Sequence, residues 1–97
     1  MGGKPVRPPI IVTACLAERE TGKVEICQKF RNRLPGLLEI KLAGWLLALS
    51  DTYPRDKYRV IVKIESPLDG DPRVENLKNS LTKLGIRVVD EVLQVAR

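Results

Sequence analysis

The stretch Ile10-Ile11-Val12-Thr13-Ala14-Cys15-Leu16-Ala17-Glu18-Arg19-Glu20-Thr21-Gly22-Lys23-Val24-Glu25-Ile26-Cys27-Gln28-Lys29-Phe30 reads as a β-hairpin. Arg19 to Lys23 has the form of a three-residue hairpin loop, with Gly22 at the left-handed bulge position that other side chains disfavour. If Arg19 pairs with Lys23, opposed residue numbers sum to 42, so Leu16 faces Ile26, Ala14 faces Gln28 and Val12 faces Phe30. One face then holds Ile10, Val12, Ala14, Leu16, Val24, Ile26 and Phe30. Turn chemistry and period-two patterning agree, which is what fixes a register.

Cys15 and Cys27 obey the same sum and fall opposite each other on the other face. Two readings stay open: a cross-strand disulfide, or two reduced small hydrophobes within a sheet. Two sulfurs with no histidine and no further cysteine cannot complete a tetrahedral zinc shell without carboxylates. No metal centre or other cofactor is expected.

Outward from the hairpin, Pro35 and Gly36 stop the second arm, and Leu37 to Ser50 is rich in Leu and Ala with Ile40 its only β-branched residue. Propensity favours a helix over Leu37 to Leu49. The apolar/charged alternation of Leu38 to Ala43 keeps a strand open there, which would give a ferredoxin-like βαββαβ order. Tyr58 to Glu65 sets Tyr58, Val60, Val62 and Ile64 against Arg59, Ile61, Lys63 and Glu65, a strand pattern. Asp71 offers an N-cap before Pro72; Val74, Leu77, Leu81 and Leu84 form a helical stripe, and Gly85 a C-terminal cap. Ile86 to Val95 closes as a β-branched strand, parallel to Tyr58 to Glu65 through a right-handed crossover. The expected fold is a two-layer α/β domain with a mixed sheet in ββαβαβ order. Residues 10–97 are expected to form that single domain, and residues 1–9 a flexible basic arm rich in Gly and Pro.

The chain has 97 residues, 43% of them hydrophobic, enough for one core. Seventeen basic residues against twelve acidic give a formal charge of +5, which favours nucleic acid or an acidic surface as partner. The scarcity of Asn and Gln, the lack of histidine and the 30% charged content resemble a heat-adapted composition. No apolar run is long enough to cross a bilayer, and residues 1–9 lack a signal-peptide core, so a cytoplasmic protein with no membrane partner is expected. Thr21-Gly22-Lys23 is not a phosphate loop, since Ala17 stands where the first glycine belongs and Val24 where Ser or Thr is needed. Serine catalysis has no histidine base to draw on.

Glu39-Ile40-Lys41-Leu42-Ala43-Gly44-Trp45-Leu46-Leu47-Ala48-Leu49 followed by Val60-Ile61-Val62-Lys63-Ile64-Glu65-Ser66 resembles the middle of the ribonuclease H-like fold. The resemblance implies Glu39 and Glu65 as metal ligands and two-metal nucleic-acid cleavage as the reaction. The first-strand acid of that family has no counterpart, because no acidic residue precedes Glu18. A relative that kept the shape and lost the chemistry is what this combination implies. Read without the resemblance, Glu39 is a first-turn acid favoured by the helix dipole and Glu65 a strand-end surface charge.

Two surfaces remain. Lys29, Arg31 and Arg33 alternate along the end of the second arm, with Lys41 nearby in sequence, a stripe suited to tracking phosphates. The helix 37–49 is apolar nearly all round, so a face including Leu37, Trp45 and Leu47 is expected to meet a second chain, most simply in a homodimer. The leading expectation is a small, dimeric, non-catalytic module that engages nucleic-acid backbone. The alternative is an oligomeric interaction or regulatory subunit working through the apolar helix, and the third a divergent metal-dependent nuclease.

Overall fold

The computed structural model describes residues 7–90. β1 (Ile10–Glu18) and β2 (Val24–Asn32) form the antiparallel hairpin in the register read from the sequence, from Val12↔Phe30 through Ala14↔Gln28 to Leu16↔Ile26. The turn itself is wider than a three-residue loop. The strands end at Glu18 and Val24, the Gly22 N–H donates to the Glu18 carbonyl at 2.8 Å, and Ala17 pairs with Val24, leaving Glu25 as the extra residue of a bulge. The cause lies in Thr21, whose hydroxyl donates to Glu18 Oε1 at 2.6 Å and accepts from the Lys23 N–H at 3.1 Å. Gly22 does adopt the left-handed conformation, with φ at 77°.

α1 (Pro35–Ala48) includes the segment expected to be helical except Leu49, which is its C-cap, and Leu38 to Ala43 lie within it. It begins two residues earlier than expected, because Pro35 opens the helix rather than only ending the hairpin. Glu39 therefore lies beyond the first turn, and the first-turn dipole contact expected of it is not formed. The corner is shaped by Asn32, whose Oδ1 accepts from the Leu34 N–H at 2.9 Å. β3 (Tyr58–Glu65) follows, then α2 (Pro72–Lys83), capped by Asp71 as expected, with Oδ1 accepting from the Arg73 N–H at 3.0 Å. Leu77 and Leu81 of its apolar stripe are buried, whereas Leu84, at the C-cap, is 63% exposed. β4 comprises only Arg87–Val88 of the strand expected over Ile86 to Val95: Ile86, Val89 and Asp90 are not in strand, and residues 91–95 lie outside the described residues.

The sheet order is β2-β1-β3-β4, with β1 antiparallel to both neighbours and β3 parallel to β4. Both helices lie on one face. There Leu38 and Leu42 of α1 and Leu77 and Leu81 of α2 meet Ile10, Val12, Ala14, Leu16, Val60, Val62 and Ile86. Each fully buried Leu, Ile or Val contributes about 1.5–3 kcal/mol of transfer free energy. The period-two alternation sends every other side chain of these strands to the opposite face, which no described helix covers.

Candidate nucleic-acid interface

Paired residues of adjacent strands share a face, so the ladder registers build the open side row by row. The rows read Arg31, Ile11, Glu65; then Lys29, Thr13, Lys63; then Cys27, Cys15, Ile61, Arg87; then Val24, Ala17 and Arg59, the bulge having moved Val24 off the apolar face expected of it. Five basic side chains thus stand on this face, with Glu65 at its end and Glu25 in the bulge at its edge. Neighbours lie about 4.8 Å apart across strands and about 6.6 Å apart along them. Lys63 Nζ lies 3.9 Å from Glu65 Oε1, while Lys29, Arg31, Arg59 and Arg87 form no ion pair among the described residues.

Cys15 and Cys27 are joined by a disulfide near the middle of this face, their Cα atoms 4.1 Å apart as in a closely spaced antiparallel pair. Cys15 and Ala17 are buried with no described helix above them, short side chains among neighbours as long as Arg59 and Lys63. All four aromatic residues pack on the helical side. Phe30 and Trp45 meet edge to face at 5.9 Å, and Tyr53 and Tyr58 at 5.1 Å. The Tyr58 hydroxyl is pushed above its ordinary pKa by burial, with Glu25 and Glu18 adding to the effect. Among its described residues the open face therefore carries charge and no aromatic side chain.

One end of the sheet is closed by a polar knot. The Asp71 carboxylate accepts from the Ser66 hydroxyl at 2.6 Å and from Arg73 Nη2 at 2.6 Å, and Arg73 donates onward to the Pro8 carbonyl at 3.0 Å and the Arg33 carbonyl at 2.8 Å. Hydrogen bonds from Arg73, then from Ser66, hold the Asp71 carboxyl well below the usual carboxylate range. Asp71 is thus committed to the fold, with its oxygens engaged by Arg73 and Ser66.

Of the basic residues picked from sequence, Lys29 and Arg31 lie on the open face. Arg33 follows β2 at the corner where its carbonyl meets Arg73, beside Arg7 and Leu37. Lys41 stands on α1, in the other layer. Arg59, Lys63 and Arg87 complete the basic set; the alternation of Arg59 and Lys63 with Val60 and Val62 carried the signal for two of them. Among the apolar candidates, Leu37 and Leu47 are 41% and 77% exposed, while Trp45 is half-buried against Phe30. Glu39 lines an apolar groove between the helices with Leu42, Leu46, Leu81 and Leu84, and Glu65 belongs to the sheet's open face. Among the described residues no three Asp, Glu, Cys or His side chains cluster to hold a metal, and no helix is long and apolar enough to cross a membrane. No protein-family model, curated protein or solved structure gives a significant match to this chain.

Proposed function

We propose that the chain is a non-catalytic module that binds nucleic acid through the sugar-phosphate backbone, using the open face of its sheet. The observation that carries this reading is the gathering of Lys29, Arg31, Arg59, Lys63 and Arg87 on the one face the helices leave bare. An uncovered sheet face needs polar side chains for solubility, but a mixture of both signs would serve; a surplus of one sign favours a polyanion. The absence of aromatic side chains among the described residues of that face makes the reading one of loose, sequence-tolerant contact.

Binding to short labelled single- and double-stranded DNA and RNA across a salt series tests it, with magnesium present and absent. The expected result is affinity that falls steeply with salt, with no magnesium-dependent product. Equal affinity for a Lys29→Ala, Arg31→Ala, Arg59→Ala triple variant would sink the reading.

A second reading, an interaction subunit, is favoured by the outward side of α1. Leu37, Ile40 and Leu47 are exposed there, at 41%, 67% and 77%, with Lys41 the one charged residue exposed on the helix. Retention of a protein partner by the parent chain and not by a Leu47→Glu variant, with no nucleic-acid affinity in either, would favour it.

A further inference from the structure

We propose that the cavity at the corner between β2 and α1 holds the terminal phosphate of a nucleic-acid strand lying on the open face, with Arg7 and Arg33 as its charged ligands. The proposal rests on the reading of the open face as a nucleic-acid surface and adds an end-binding site to it.

The cavity has a volume of about 710 Å³; Arg7, Arg33 and Arg73 line it, and among the described residues no acid does. Arg7 and Arg33 are exposed and form no ion pair among the described residues. Arg73 is buried and engaged, yet its donors are not exhausted. A guanidinium has five N–H donors. In Arg73 the Nε hydrogen bonds the Asp71 carboxylate, the two on Nη2 go to Asp71 and the Pro8 carbonyl, and one on Nη1 goes to the Arg33 carbonyl. One Nη1 hydrogen is left without an acceptor among the described residues, on a side chain only 8% exposed. Asp71 matches the charge of Arg73, so the unmatched charge at the cavity is that of Arg7 and Arg33.

The rest of the wall is also richer in donors than in acceptors. Asn32 uses its Oδ1 on the Leu34 N–H at 2.9 Å, and its Nδ2 donates to nothing among the described residues. The nearby carbonyls of Pro8 and Arg33 already accept from Arg73. α1 begins at the same wall, with Leu34 as an N-cap whose side chain caps nothing and with no acid in its first turn. The helix start therefore adds a partial positive charge that nothing in its own first turn offsets. A surplus of donors calls for a ligand that only accepts, and the planar fork of arginine matches the oxygens of a phosphate.

Place and size define that ligand. Arg31 stands in the end row of the open face, and Arg33 follows two residues later, at most about 7 Å further along the chain. Beyond the corner the chain passes into α1, in the other layer, so the track of basic side chains on β2 ends at the cavity. A terminal phosphomonoester carries a charge of about −1.5 to −2 at neutral pH, more than the single charge of an internal diester, so the surplus positive charge here favours a strand end. The volume falls within the roughly 300–1,000 Å³ of small-ligand sites, leaving room for more than a phosphate. Leu34 and Leu37, 59% and 41% exposed, stand with Pro35 as an apolar wall for the sugar and base of the end nucleotide.

Fluorescence anisotropy tests this with one short, internally labelled single-stranded oligonucleotide whose ends are hydroxylated, 5′-phosphorylated or 3′-phosphorylated, at neutral pH and moderate salt. A phosphorylated end should bind roughly tenfold tighter than hydroxyl ends, the scale of one hydrogen bond to a charged group. An Arg7→Ala, Arg33→Ala double variant keeps the Arg33 carbonyl that Arg73 holds, and it should bring that ratio to one with unchanged far-ultraviolet dichroism. Arg59→Ala, on the open face, should weaken all three strands and preserve the ratio. Hydroxyl ends that bind as tightly as both phosphorylated ends would overturn the inference and leave the open-face reading standing. So would a preference that survives the double variant, whereas no binding by any of the strands would overturn both.

Discussion

Arg73 Nη2 lies 2.6 Å from Asp71 Oδ2 with both side chains withdrawn from water, 8% and 1% exposed. The pair sits at a junction of three chain segments, because the same guanidinium donates to the carbonyls of Pro8 and Arg33. A lysine has neither the planar fork nor enough donors to reach all of these acceptors. Arg73→Lys should therefore lower the urea midpoint of unfolding substantially, and Arg73→Ala more so, since it leaves a carboxylate without its main donors. A midpoint unchanged within error in Arg73→Ala would show that the junction adds nothing.

The same pair sets an acid limit. The folded-state pKa of Asp71 is depressed, so its contribution is fully present above the unfolded value of about 3.9 and is lost as pH falls toward the lower folded value. Stability of the parent chain should decline below roughly pH 4. Asp71→Asn, already less stable at neutral pH, should show a shallower decline. Parallel pH profiles would count against the assignment.

The disulfide should be felt chiefly in unfolding. Cys15 and Cys27 close a loop with a sequence separation of 12, for which chain-entropy arguments give roughly 2–4 kcal/mol. Urea melts with and without dithiothreitol should differ by that order, and a thiol titration of the unfolded, unreduced chain should count none. Two titratable thiols would remove the crosslink.

Lys29 and Lys41 offer a matched contrast in binding, since they carry the same charge on opposite layers. Lys29→Ala should weaken single-stranded nucleic-acid binding and flatten the salt dependence by about 0.7 per lost phosphate contact. Lys41→Ala should leave both unchanged. Equal losses would place the binding surface elsewhere.

In the core, Leu42→Ala should cost about 2–5 kcal/mol, because a buried leucine leaves a cavity as well as lost transfer energy. Leu42 is 2% exposed, whereas Leu47, five residues on and 77% exposed, should tolerate Leu47→Ala with little change in stability. Thermal melts of the two variants make the comparison directly.

The hairpin register was legible because a glycine-bearing turn, an alternating pattern and two cysteines all point to one pairing. Its loop was not, because the wider turn depends on Thr21 bridging Glu18 and Lys23, a side-chain choice that spacing does not encode. The buried role of Arg73 was also illegible: its acceptors lie 40 and 65 residues away, and an arginine in a first helical turn reads as surface. The basic face was half legible. Alternation put Arg59 and Lys63 on one side of a strand, but only the sheet order shows that β3 lies across β1 from Lys29 and Arg31.

The central place of β1 has a temporal consequence. Its pairing with β2 closes over a short loop, whereas Ile11 must find Glu65 across most of the chain. Local contacts form before distant ones reward their closure. Everything the crosslink needs is contained in the hairpin, so oxidation can lock β1 and β2 into register before β3 arrives. A chain oxidised while still being made would carry a finished edge onto which the remaining half condenses, and the reduced chain would have to choose its first pairing from more alternatives.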